Sequence, residues 1–220
     1  MLHFTEGEFA RRSALLESEL ERRGLDGILC FSQESMYWLT GYDTFGFCFF
    51  QCLVVGGGRS VLLTRSADRL QAHITSNIKD IRIWIDGDEA KPAEDLASLV
   101  REVGLAGKRL AIETDTHGLT ARNYVELISA FAGVCELTEG SDIISKLRLV
   151  KSEEELAYVR RAAELADDAL DSAVALLAPG VDEGEILAAM QGTIFAGGGD
   201  YPGNEFIIGS GEDALLVRYA

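Results

Sequence analysis

The sequence predicts an α/β domain with a mixed sheet covered by helices, followed by the opening of a second domain that starts with a long helix. Three observations carry this. Short apolar runs alternate with amphipathic stretches from Phe9 to Leu137, the pattern of strands sandwiched between helices. Two of those runs flank Gly56-Gly57-Gly58, a hairpin signal that places an antiparallel pair in the sheet. Finally, Ser152 and Glu155 form a capping box, in which a hydroxyl and a carboxylate each satisfy an orphan backbone group at a helix start.

Taken in order, Thr5 and Glu8 form a first capping box, and Phe9, Leu15, Leu16 and Leu20 give the helix behind it an apolar side that Gly24 ends. Gly27 to Phe31 reads as a buried strand, and Ser35 to Leu39 as a helical turn or a strand leading to Gly41. The hairpin runs are Phe49 to Val55 and Ser60 to Thr64. Then come a helix from Ser66 to Thr75, a strand from Ile81 to Ile85, and a helix from Pro92 to Val103 started by its proline. A strand from Arg109 to Glu113, a helix from Ala121 to Phe131 capped by Thr120, and a strand from Val134 to Leu137 complete a domain spanning 1–149.

Residues 150–220 predict helices from Glu153 to Leu177 and Asp182 to Phe195, then strands from Glu205 to Ile208 and Ala214 to Tyr219. In the first helix Leu156, Val159, Ala163 and Ala166 recur at helical spacing, widened by Tyr158, Leu165, Ala169 and Leu170. The run Leu215-Leu216-Val217 has nothing after it to pair with, and two helices with a hairpin make a thin core. The second domain is therefore expected to be incomplete.

Bulk properties narrow the function. With 47% hydrophobic and 25% charged residues among 220, the chain can bury a core under a polar surface. A formal net charge of −16 disfavours nucleic acid and anionic membranes, which select basic surfaces. Cys30, Cys48, Cys52 and Cys135 lie in apolar runs with no metal-binding spacing, as expected of free, buried thiols in a reducing cytoplasm. No export signal and no membrane-length apolar run is evident in these residues. Gly209-x-Gly211-x-x-Ala214 fits a loose dinucleotide fingerprint, but Glu212 and Asp213 would repel a pyrophosphate.

The order Lys146-Leu147-Arg148-Leu149-Val150-Lys151-Ser152, then Glu155-Leu156 and a long Ala- and Asp-rich helix, resembles the junction between domains in the pita-bread hydrolases: creatinase, aminopeptidase P and prolidase. Tyr37-Trp38-Leu39-Thr40-Gly41-Tyr42, the Pro179-Gly180-Val181-x-x-Gly184-Glu185 turn and Phe206-Ile207-Ile208-Gly209-Ser210-Gly211 carry the same resemblance. It implies a creatinase-like N-terminal domain followed by a truncated α+β pita-bread domain. It also implies a cytoplasmic homodimeric hydrolase that cleaves a C–N bond in a small peptide or amidino substrate, using two divalent metal ions. The ligands of those ions, two Asp, one His and two Glu, would follow the Gly-Ser-Gly turn, so this chain is expected to be inactive, with no catalytic or metal residue of its own. A non-catalytic oligomerisation or ligand-binding module is the alternative.

The candidate substrate-binding residues are Tyr42, Asp43, Phe45, Phe47 and Arg218. Aromatics beside a carboxylate and Gly46 suit a lid over a small polar ligand, and the resemblance implies that this loop reaches a partner subunit's active site. The same phenylalanines, with Phe49 and Phe50, could instead begin a buried strand. Arg218 stands where the peptidases are expected to carry a histidine. Its planar fork can clamp a carboxylate; a solvent-facing arginine is the other reading. His3, His73 and His117 show no ligand spacing.

Overall fold

The computed structural model describes residues 2–45 and 48–216, and the chain divides into two compact units, Met1–Val150 and Lys151–Ala220. In the first unit the order is α1 (Glu6–Arg23), β1 (Gly27–Cys30), α2 (Gln33–Thr40), β2 (Cys52–Gly56), β3 (Arg59–Arg65), α3 (Arg69–Thr75), β4 (Asp80–Trp84), α4 (Pro92–Glu102), β5 (Arg109–Ile112), α5 (Ala121–Ala130), β6 (Glu136–Glu139) and α6 (Asp142–Leu147).

The six strands lie in the order β4-β3-β2-β1-β5-β6. Only β2 runs against its neighbours: it pairs antiparallel with β1 and β3, while β1–β5, β3–β4 and β5–β6 are parallel. The sheet is therefore mixed, as the glycine triplet predicts. Gly57 and Gly58 both take positive φ, 59° and 72°, which a two-residue turn needs to match the twist of the strands it joins.

Alternation along each strand sorts side chains onto two faces. Leu29, Val54, Leu63, Leu110 and Ile112 join Leu96, Val100, Leu127 and Phe131 of α4 and α5 in one core. Ile28, Cys30, Leu53, Leu62 and Ala111 join Leu16 and Leu20 of α1, Met36 and Trp38 of α2, Ala72 of α3, and Ile143 and Ile144 of α6 in the other.

The stretch around Ser35 resolves to helix. Thr40 O–H bonds back to Met36 O at 2.7 Å, and Gly41 ends α2 with φ 78°. A Cβ there would sit 2.8 Å from Leu2 Cδ2 and 3.0 Å from Thr75 O, so both conformation and crowding require glycine. The strand expected from Val134 starts two residues later, at Glu136, although Val134 O still accepts from Gly107 N at 2.7 Å just ahead of the β5–β6 pairing. Helix α6 was not foreseen. It has no side-chain cap, and it is held by burial of Ile143 and Ile144 and by a bidentate pair from Arg23 to Asp142 at 2.7 and 2.9 Å. Cys30 and Cys52 are buried free thiols, pushed up in pKa by that burial, whereas Cys48 is exposed, against expectation.

The second unit contains α7 (Glu153–Leu176) and α8 (Glu183–Ala196). The capping box is formed: Ser152 Oγ accepts from Glu155 N at 3.2 Å, and Ser152 N donates to Glu155 Oε2 at 2.8 Å. The buried line of α7 is Leu165, Ala169 and Ala173; Leu165 and Ala169 belong to the expected apolar set, whereas Leu156, Val159, Ala163 and Ala166 are not buried. Neither predicted strand appears among the described residues. Residues 205–210 have no regular structure, and Gly211–Leu215 is a 3₁₀ turn. An extended segment becomes a strand only by pairing its backbone, and the described part of this unit offers it no partner strand. No described helix is long and apolar enough to cross a membrane.

Candidate active-site loop

The segment that follows Gly41 is pinned at its base. Tyr42 is fully buried; its O–H donates to Gln51 Oε1 at 3.1 Å, which also accepts from Thr64 Oγ1 at 3.1 Å. Burial pushes the Tyr42 phenol up in pKa, so it stays a neutral donor. Tyr42 is therefore an anchor directed into the core and does not face a ligand. Asp43 N donates to Thr75 Oγ1 at 3.1 Å, and Gln71 Nε2 donates to Asp43 O at 3.1 Å, which ties the loop to α3.

Beyond this anchor Asp43 is exposed and Phe45 is 72% exposed. Gln51 Nε2 donates to Thr44 Oγ1 at 3.2 Å, and the Arg65 guanidinium stacks 3.9 Å from the centroid of the Phe49 ring. Phe50 is buried, with its carbonyl bonded by Trp84 Nε1 at 3.0 Å. Thus the phenylalanines divide: Phe50 belongs to the core and Phe45 to the surface. Phe47 and Arg218 lie outside the described residues, and the structure does not bring the remaining candidates to one ligand-facing cluster.

A carboxylate that sequence reasoning passed over organises the neighbouring strand ends. Glu113, 2% exposed, follows β5 and accepts from Phe31 N at 2.9 Å, Ser32 N at 2.8 Å and Ser35 O–H at 2.5 Å. It thereby fixes where β1 turns into α2, the helix that delivers the loop. Burial raises its carboxyl to about 6, against the lowering effect of those donors. The legible signal was an acid closing an otherwise apolar strand run, Leu110-Ala111-Ile112-Glu113.

The histidines are scattered. His3 Nδ1 lies 2.6 Å from Tyr37 Oη, His73 is on α3, and His117 is exposed after β5. Among the described residues no three His, Cys, Asp or Glu side chains converge to hold a metal ion. The described residues thus do not fit a metal pair.

The first unit is thus an α/β domain with a mixed six-stranded sheet, and the second contains two helices. The solved structure of a Xaa-Pro dipeptidase from Bacillus anthracis shares this fold at a TM-score of 0.67 and 23% identity, over 84% of this chain and 48% of that one. Residues 12–150 match the creatinase/prolidase N-terminal domain and residues 157–220 match metallopeptidase family M24, and the chain belongs to this creatinase/prolidase family. Among curated relatives, an uncharacterized hydrolase/peptidase of Sinorhizobium fredii is 26% identical, over 92% of this chain and 54% of its own length. An ectoine hydrolase of Halomonas elongata is 24% identical, over 97% and 57%. The chain spans about half the length of the curated relatives it matches.

Proposed function

We propose that these residues form the N-terminal domain and the opening of the catalytic domain of a hydrolase cleaving a C–N bond in a small peptide or amidino substrate. The observation that carries this reading is the succession, in one chain, of the creatinase/prolidase N-terminal domain and metallopeptidase family M24. Similarity to a Xaa-Pro dipeptidase supports a peptide substrate, and similarity to an ectoine hydrolase keeps a different small substrate in view.

In this reading the working protein is a cytoplasmic homodimer with two divalent metal ions. Asp43, Phe45 and Phe47 form a lid toward a substrate, anchored by Tyr42, and Arg218 clamps a substrate carboxylate through its planar fork. The 220 residues alone are inactive. Support for that comes from the scatter of metal-ligand side chains among the described residues. A metal pair, when bound, activates water and polarises the group under attack.

The test uses the purified chain, dialysed after incubation with Mn²⁺ or Zn²⁺ and assayed with alanyl-proline and with creatine. The expected result is no retained metal and no turnover. Metal-dependent hydrolysis by the chain alone would end the claim of inactivity. Hydrolysis of neither substrate by a longer protein that includes these residues and retains metal would remove the substrate assignment.

A further inference from the structure

The order of connections reverses between the parallel strands β1 and β5. From β1 the chain proceeds through α2 to β2 on one side, and from β5 through α5 to β6 on the other. At such a switch point the connections part beyond the carboxyl ends of the strands and leave a crevice, where open α/β sheets bind small molecules. Here the crevice is a cleft of about 570 Å³ whose walls include Gln33, Glu34, Asp115, His117 and Arg148. It lies entirely within the first unit and owes nothing to the loop after Gly41.

Its chemistry is of mixed sign. Two carboxylates, Glu34 and Asp115, share the walls with one guanidinium, Arg148. Partial burial opposes ionisation of Glu34. The Ser32 hydroxyl, donating at 2.6 Å, together with the Glu34 amide, Arg148 and His117, outweighs it and holds the carboxyl below the usual range. Gln33 Oε1 is shielded from solvent and accepts no hydrogen bond from the described residues, so the charged groups, not this amide oxygen, are what the cleft offers a ligand. Glu113 holds Phe31 N, Ser32 N and Ser35 from beneath, so the floor is set before any ligand arrives.

A phosphate or dicarboxylate would meet two like charges for one opposite. A bare metal ion lacks three converging ligands among the described residues. A molecule carrying one ammonium and one carboxylate on neighbouring atoms matches both signs. We infer that this cleft binds a free α-amino acid, its ammonium against Glu34 and Asp115 and its carboxylate against Arg148. The site goes beyond the proposed hydrolase function and stands independently of it.

The experiment is a titration of the isotopically labelled 220-residue chain, followed by amide NMR, with L-alanine, N-acetyl-L-alanine, L-alaninamide and alanyl-proline. L-Alanine is expected to shift the amides of 32–35 and 115–118 saturably. Each derivative lacking one charge should bind about tenfold or more weakly. The exposed change Asp115→Asn should weaken L-alanine binding with the rest of the spectrum unchanged. Arg148→Lys, keeping charge but losing the planar fork, should weaken L-alanine and leave L-alaninamide unaffected. Absence of saturable shifts, equal binding of a blocked derivative, tighter binding of the dipeptide, or insensitivity to both variants would each overturn the assignment.

Discussion

Glu113 shows how one buried group links sequence position to stability. Its carboxyl is raised to about 6 from an ordinary 4.5, so the folded chain binds its proton more tightly than the unfolded chain. The resulting stability is fully present below pH 4.5 and is lost as pH rises through about 6. Glu113→Gln keeps an acceptor for the two amides and removes the buried charge. It is expected to be more stable than the native chain at pH 7.5 by up to about 2 kcal/mol, a gain that vanishes near pH 4.5. Glu113→Ala leaves three donors without an acceptor and should lose about 2–4 kcal/mol at either pH. Urea unfolding at the two pH values checks both. A glutamine variant weaker than native at pH 7.5 would show that the hydrogen bonds to the anion outweigh its desolvation. Arg12 teaches a related lesson. It is buried, donates to Glu8 and Trp38 O at 2.8 Å each, and lies 4.0 Å over the Phe4 ring. Its spacing from Phe9, Leu16 and Leu20 puts it on the apolar side of α1, away from its exposed neighbour Arg11, but nothing local names the partners that hold it there.

At the scale of elements, ends were more legible than faces. The box at Ser152 and Glu155 forms as its spacing predicts, since capping depends only on atoms within one turn. Ser152→Ala removes the acceptor for Glu155 N. About 1 kcal/mol should be lost from the start of α7, seen as roughly fivefold faster amide hydrogen exchange over residues 153–156. Unchanged exchange there would mean that tertiary packing holds this end. The apolar face of α7 was only partly legible, Leu165 and Ala169 being expected and buried, because the helix carries two stripes. Leu165, Ala169 and Ala173 are buried, while Leu170 and Val174 remain 58% and 57% exposed. Helical periodicity says where stripes run; only the neighbouring helix decides which one is covered.

On the scale of the whole molecule, the domain order, the family and the loop after Gly41 meet in one functional prediction. The loop's anchor is built within the first unit, and Phe45 points outward from it. In an active protein that includes these residues, Phe45→Ala is therefore expected to raise KM about tenfold with kcat little changed. Steady-state kinetics on that variant check it, and an unaltered KM would remove the lid from the mechanism. The candidate site was only partly legible beforehand. Asp43 and Phe45 are surface groups, whereas Tyr42 is turned inward by Gln51 and Thr64, partners 9 and 22 residues away.

By itself the sequence determined the mixed α/β character of residues 1–150, the turn at Gly57 and Gly58, the capped start of α7 and the family. All of these rest on local periodicity, on backbone conformations reserved to glycine, or on ordered motifs. Tertiary structure alone decided that Glu113 would grip the end of β1, that α6 would form where no cap announces it, and that the apolar run over 205–208 would not become a strand. Each of these outcomes depends on a partner distant in sequence, and a hydrogen bond or buried contact exists only once the chain has brought that partner alongside.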